Sequence, residues 1–335
     1  MIKAGIIGGT GYTGLELIRL LVQHPQVRIS VVTSRRYKGK TVSEVNPYLF
    51  PFIELEYEDV DTKEIADRSD IVFVATPHGS AMDYVPALME RGTRVIDLSA
   101  DYRLTRSEYE RVYKREHKDK EERNAVYGLT ELHPEVADAT LVGNPGCYPT
   151  GAVLAVVPLV KAGLVRQVLF DSKSGISGAG AEPTETSHYP NLAENIVPYQ
   201  ITSHRHVAEM RQELGVNLSF TPHVLPAIRG ILTTAHVFLH ERVSKSREEI
   251  EEIYTQFYNG KRFVRLRTGV PSLGAVRGTN FCDIGFEIEE GSDRIVVMST
   301  IDNLVKGGSG QAVQNMNLMF GLDEAEGLWF PGLAP

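Results

Sequence analysis

Cysteine is nearly absent from this chain. Two residues in 335, Cys147 and Cys282, share no C-x-x-C spacing. They leave no material for a disulfide framework or a thiolate zinc site, and such sparing use suits a reducing compartment. No apolar run reaches about 18 residues, so no transmembrane helix is expected. Excess positive charge is missing too. Lys plus Arg number 35 against 43 for Asp plus Glu, a net charge of −8. That balance excludes a general attraction for nucleic acid or an anionic membrane. The first residues, Met1 to Ile7, enter a strand pattern without a signal peptide, and a cytoplasmic protein with no metal is expected. Ordinary apolar (42%) and charged (23%) contents exclude disordered and low-complexity classes, and the length suggests two domains.

Short β-branched runs alternate with helical patterns over the first hundred residues. Strands are expected at Ile2–Ile7, Val27–Thr33, Asp70–Ala75 and Arg94–Leu98, with helices over Tyr12–Gln23 and Ser80–Arg91. This order predicts an α/β fold, a doubly wound parallel sheet of Rossmann type. Residues 103–123 mix charges of both signs and read as a solvated helix or flap. Beyond Cys147, strand patterns at Val168–Ser172, Thr221–Leu225, Leu232–Leu239, Phe263–Arg267 and Phe281–Glu289 predict an α+β domain with a larger mixed or antiparallel sheet. A strand at Arg294–Ile301, a glycine-rich turn over Asn303–Gly310 and a helix over Gln311–Phe320 return to the Rossmann style. The expected boundaries are 1–147, completed by about 303–335, for dinucleotide binding, and 148–302 for catalysis, substrate binding and oligomerisation. A homo-oligomer, dimer or tetramer, is expected.

Three segments carry chemistry. Gly9-Thr10-Gly11-Tyr12-Thr13-Gly14 is a G-x-G-x-x-G between a strand and a helix, where backbone approaches a pyrophosphate at a helix N-terminus. After the second strand, where an NAD enzyme usually carries an acid, stand Ser34, Arg35 and Arg36. A hydroxyl and two guanidinium groups suit the 2′-phosphate of NADP. Cys147, in Asn144-Pro-Gly-Cys-Tyr-Pro-Thr-Gly151, precedes an apolar helix running to about Lys161, with Pro149 at its first position and Gly163 past its end. A thiol at a helix N-terminus gains nucleophilicity from the dipole and unpaired amides. Cys282, inside a strand, reads as packing. His204 and His206 open a further helix, and Glu209, three residues beyond His206, can orient its imidazole. His204 reads as a substrate contact. Arg103 and Arg229 are candidate anchors for an anionic substrate, with surface ion pairs as the alternative. Lys173–Gly180, with Ser177 and Gly178, reads as a turn near the nicotinamide or a plain loop.

Taken together these segments resemble the N-acetyl-gamma-glutamyl-phosphate reductase family over essentially the whole chain. The resemblance rests on GGTGYTG at Gly8–Gly14, SRR at Ser34–Arg36, LSADYR at Leu98–Arg103 and VGNPGCYPTG at Val142–Gly151. It extends through SGISGAG at Ser174–Gly180, HRH at His204–His206 and DNLVKG at Asp302–Gly307. It implies an NADP-dependent reductase of arginine biosynthesis acting on a small acyl phosphate. Cys147 would be the nucleophile, His206 the acid/base, Arg103 a phosphate-side contact, and Asn303 part of the NADP cleft. A sister group, which reduces a carrier-protein-linked aminoadipyl phosphate in lysine synthesis, remains an alternative. So does a non-catalytic NADP-sensing protein.

Overall fold

The computed structural model describes residues 1–240 and 246–334. They divide into two compact units: Met1–Pro145 with Gly308–Trp329, and Gly146–Gly307 with Phe330–Pro335. Cys147 and residues 303–307 fall in the second unit and Gly308 onward in the first, against expected boundaries that place 147 and 303 in the first.

In the first unit, β1 (Ile2–Ile7), β2 (Val27–Thr33), β3 (Tyr57–Glu58), β4 (Ile71–Val74), β5 (Arg94–Asp97), β6 (Val126–Tyr127) and β7 (Leu141–Gly143) form one sheet. Among the described residues its order is β3-β2-β1-β4-β5-β7-β6 and every pairing is parallel. A parallel sheet is covered on both faces, so its central strands are apolar throughout, and Ile71 to Val74 are fully buried. The order turns back between β1 and β4, the point where such sheets open a crevice beyond their strand ends. The expected helix over Ser80–Arg91 is instead a single tight turn, Ala81–Asp83, followed by a helix, Val85–Glu90. Pro86 has no amide hydrogen and fits only the first turn of a helix, so the second piece begins beside it.

The charged stretch 103–123 is less solvated than its composition suggests. It forms a helix, Arg106–Tyr113, and places His117 and Asp119 in the interior. Tyr109 donates from its hydroxyl to Asp101, and Tyr102 donates to Asp119, which also pairs with Arg123. Burial and the neighbouring Asp101 push the Asp97 carboxyl up to about 7.

The second unit is built on β8 (Val165–Gly175), β9 (Val197–Pro198), β10 (Asn217–Leu225), β11 (Ile231–Leu239), β12 (Val264–Leu266), β13 (Cys282–Ile288) and β14 (Arg294–Ile301). Their order is β12-β13-β14-β11-β8-β10-β9 among the described residues. The sheet is mixed: β8 with β10 and β12 with β13 run parallel, the other pairs antiparallel. Burial alternates along β11, as it must when one face meets the core and the other does not. The buried face lies beneath the helix Cys147–Lys161, whose Gly151 carbonyl accepts from Ser299 Oγ at 2.8 Å.

That helix holds Pro158 in its interior, which removes the hydrogen bond normally made to the Leu154 carbonyl. Tyr258 repairs the loss by donating its hydroxyl to Leu154, while Tyr254 donates to Ala155 at 2.7 Å. Both tyrosines lie on or just beyond the helix Arg247–Phe257. The expected turn over Asn303–Gly310 is a π-helical turn, Val305–Ser309, that runs into the helix Gly310–Met319.

Candidate active site

In the first unit the glycine motif joins β1 to the helix Tyr12–Leu21, with Gly11 as the residue flanking the first turn. Packing accounts for two of its glycines. A Cβ on Gly9 would lie 2.2 Å from Val32 Cγ1, and one on Gly14 would lie 2.3 Å from the Gly8 carbonyl oxygen. At Gly11 a Cβ would meet nothing within 4 Å. No protein contact requires that glycine, and its bare backbone at a helix N-terminus fits a dinucleotide pyrophosphate. Thr10 and Thr13 are half-buried and Tyr12 is exposed. The loop is tied on both sides: Gly8 N–H donates to Thr33 Oγ1 at 3.3 Å, and Ser309 Oγ donates to the Thr13 carbonyl at 2.8 Å. Beyond β2, Ser34 is buried while Arg35 and Arg36 are exposed, with Arg36 stacked over the Tyr37 ring at 5.2 Å.

Arg103 is almost wholly buried in this unit. Its Nε donates to the Asn144 carbonyl at 2.6 Å and its Nη2 to the Leu98 carbonyl at 2.9 Å. The Asn144 side chain donates to the Gly308 carbonyl and accepts from Asn315, both at 3.0 Å. Asn144 thus fixes the segment that leads into the cysteine, an anchor that sequence reasoning missed although it lies three residues upstream.

In the second unit Cys147 is the first residue of its helix and Gly146 precedes it in extended conformation. Pro149 therefore sits at the third helical position, not the first. Glu209 is fully buried and accepts from Gly146 N–H through Oε2 at 2.9 Å. Its Oε1 lies 3.9 Å from His206 Nε2, within ion-pair range but longer than a hydrogen bond. One carboxylate thus reaches both the backbone before the thiol and the imidazole. His206 caps the helix Val207–Leu214 from outside, a turn later than the expected helix start.

Aromatic side chains fill the surroundings. The His204 ring meets Tyr148 at 5.5 Å, Tyr199 at 5.6 Å and Phe220 at 5.3 Å, all edge-on, and His206 at 4.7 Å. Tyr199 donates to the Tyr148 hydroxyl at 3.0 Å, and Tyr148 donates to the His223 carbonyl at 3.2 Å. Burial pushes the Tyr148 phenol far up and that of Tyr199 up to about 12, so both remain protonated donors. Neither tyrosine was singled out from sequence, although Tyr148 is the immediate neighbour of Cys147.

Ser177, Gly178, Arg229 and Asn303 also lie in the second unit. Asn303 Nδ2 donates to Ser177 Oγ at 2.9 Å, and its Oδ1 accepts from Gly230 N–H at 2.7 Å. Arg229 Nη1 is 3.5 Å from the buried Asp302. Asp302 Oδ1 also accepts from the amides of Leu304 and Val305 and so initiates the π-helical turn. Within that turn, a Cβ on Gly307 would fall 2.8 Å from Cys147 Cβ and 3.2 Å from Ile301 Cδ1. Glycine there gives the cysteine its place. Among the described residues no cluster of three or more His, Cys, Asp or Glu is arranged to hold a metal, and no helix is long and apolar enough to cross a membrane.

A parallel sheet with a glycine-loop helix, joined to a mixed sheet with a cysteine opening a buried helix, defines a class. The family model "Semialdehyde dehydrogenase, NAD binding domain" matches residues 3–140, and "Semialdehyde dehydrogenase, dimerisation domain" matches 147–303. The fold is similar to that of aspartate semialdehyde dehydrogenase II from Vibrio cholerae, with a TM-score of 0.73 at 18% identity, covering 96% of this chain and 98% of that one. The aspartate semialdehyde dehydrogenase with NADP from Candida albicans gives 0.72 at 17% identity, over 96% and 98%. The chain is thus a dinucleotide-binding protein of semialdehyde dehydrogenase type.

Full-length relatives narrow the class. The chain is 62% identical to the N-acetyl-gamma-glutamyl-phosphate reductase of Methanothrix thermoacetophila and 59% identical to that of Methanosarcina barkeri, over the whole of each chain. The same enzyme of Archaeoglobus fulgidus is 55% identical over 99% of this chain and all of that one. This chain belongs to the N-acetyl-gamma-glutamyl-phosphate reductase family.

The contact at Gly307 generates a prediction. Gly307→Ala should displace Cys147 and, with the nucleophile role expected of that residue, lower kcat by more than about tenfold. It should also remove about 1–3 kcal/mol of stability by overpacking. Steady-state kinetics and thermal unfolding check both. A near-wild-type kcat would show that the cysteine tolerates the added methyl.

Proposed function

We propose that this chain reduces N-acetyl-gamma-glutamyl phosphate to N-acetylglutamate 5-semialdehyde and phosphate, with NADPH, as a step of arginine biosynthesis. The observation that carries the reading is Cys147 at the start of a buried helix, with Glu209 reaching both the Gly146 amide and His206. In this scheme the Cys147 thiolate attacks the acyl carbon and phosphate departs, leaving a thioester. A bound reduced dinucleotide supplies hydride chemistry to the site. His206 gives a proton to the oxygen as the acyl carbon is reduced and takes it back as the carbon–sulfur bond breaks, releasing the aldehyde and the thiolate. Glu209, 3.9 Å from its Nε2, orients the imidazole. Arg229, partly exposed, is the cation assigned to the anionic substrate.

Two features support NADP over NAD. Ser34, Arg35 and Arg36 follow β2 where an acidic ribose ligand would otherwise stand, and both guanidinium groups are exposed. A homo-oligomer is supported by the outer face of the second sheet, where Leu169, Leu232, Phe238, Val296 and Met298 are only half-buried. The cytoplasm is the compartment proposed, since a thiol nucleophile stays reduced there.

The direct test supplies N-acetylglutamate 5-semialdehyde and follows phosphate-dependent reduction of NADP. Turnover that requires phosphate supports the reading, and no turnover removes it. Cys147→Ser should abolish turnover with dinucleotide affinity nearly unchanged, because a hydroxyl has far less anionic character than a thiol. Calorimetry beside the assay checks the two halves.

Replacing Arg35 and Arg36 with Ala should weaken NADPH much more than NADH. Charge-assisted contacts contribute on the order of 1.5–3 kcal/mol each. Equal losses for the two dinucleotides would show that these arginines do not read the 2′-phosphate.

A further inference from the structure

The geometry points to His204 as a positioning residue, a neutral imidazole whose Nδ1 fixes the backbone that presents His206. The inference rests on the proposed acid/base role of His206, and it departs from the substrate contact expected of His204. Its first support is a hydrogen bond that leaves one tautomer. The backbone N–H of His206 donates to His204 Nδ1 at 3.2 Å. Nδ1 must therefore carry a lone pair, and the ring proton sits on Nε2.

The second support is the setting. Tyr148 from the cysteine helix, Tyr199, and Phe220 from β10 press their rings edge-on against His204, and the His206 ring lies 4.7 Å away. The charged group beside it is the Arg205 guanidinium, which has the wrong sign to favour an imidazolium. Desolvation in this aromatic box, reinforced by Arg205, pushes the His204 pKa down to about 4. A proton on Nδ1 would also direct one N–H at another and break the bond to His206. His204 therefore stays neutral at working pH and cannot exchange the proton that the reaction needs.

The bond has a structural consequence. Residues 204–207 form a turn closed twice, by the side chain of His204 on His206 N–H and by the His204 carbonyl, which accepts from Val207 N–H at 3.1 Å. No side chain caps the helix Val207–Leu214 otherwise. The turn sets the backbone of His206, and with it the approach of the imidazole to Glu209. Asn and Asp close turns in the same way, through a side-chain oxygen that accepts from an amide two residues on. Asn at 204 can therefore replace the acceptor without the ring, whereas Phe keeps the ring without the acceptor.

The test compares His204→Ala, His204→Phe and His204→Asn in the N-acetylglutamate semialdehyde assay. Ala and Phe should lower kcat by about 10–100-fold with KM within about threefold, the pattern of a misplaced group, not of a lost substrate contact. Asn should recover at least about tenfold over Ala, and the pH–rate limbs of all three should match wild type. Asn no faster than Ala, a rise in KM exceeding the fall in kcat, or a lost pH limb would each overturn the proposal. The ring nitrogens are read separately, by 15N spectra of histidine-labelled full-length protein, with His204 assigned by its absence from His204→Asn. The proposal predicts an Nε2–H tautomer that does not titrate between about pH 5 and 8, where an ordinary histidine does. A protonated Nδ1 or a midpoint near 6.5 would overturn it. A wild-type protein without reductase activity would defeat the proposed function, while the spectra would still decide the state of His204.

Discussion

A single buried carboxylate organises the second unit around its cysteine. Glu209 is shut away from solvent, and burying an ionised group is costly unless its oxygens find partners. One oxygen takes the Gly146 amide, the N–H immediately before the helix that Cys147 opens. The other faces His206. Since Glu209 lies in the first turn of the helix Val207–Leu214, it links that helix to the start of the cysteine helix. The thiol and the imidazole therefore hold positions set by the same side chain. Gly307 keeps the space against Cys147 open, and the Tyr148–Tyr199 hydroxyl pair closes the surroundings.

Regular periodicity made most of the fold legible. The bounds of β1, β2 and β14 and the C-terminal end of the cysteine helix coincide with those expected, because apolar spacing and terminal glycines marked them. Long-range partners govern what was missed. Nothing local indicates that Tyr258 will take the carbonyl freed by Pro158. The charged stretch 103–123 was legible only in part. Most of its charges are exposed, as a solvated helix requires, but Arg103, Tyr109, His117 and Asp119 are buried, and composition cannot single them out.

The candidate site was legible to the extent that its chemistry sits in short motifs. A cysteine before an apolar helix and a histidine three residues from a glutamate can be read directly from the chain. The direction of each histidine ring cannot. Both rings pack on Tyr148, but Tyr199 and Phe220 press only on His204, and Phe220 comes from β10, beyond the helix. Spacing also overstated the Glu209–His206 link, since the carboxylate that was to hold the imidazole gives its closer contact to a backbone amide.

The organising role of Glu209 is tested most directly by comparing kcat for Glu209→Gln and Glu209→Ala in the phosphate-dependent semialdehyde assay. Gln keeps an oxygen for the Gly146 amide but loses the charge facing His206, whereas Ala loses both. The account predicts a graded loss, with Gln down about tenfold and Ala down by about 10²–10⁴, the range seen when an acid–base group fails. An Ala variant within a few-fold of wild type, or a Gln variant as slow as Ala, would contradict it.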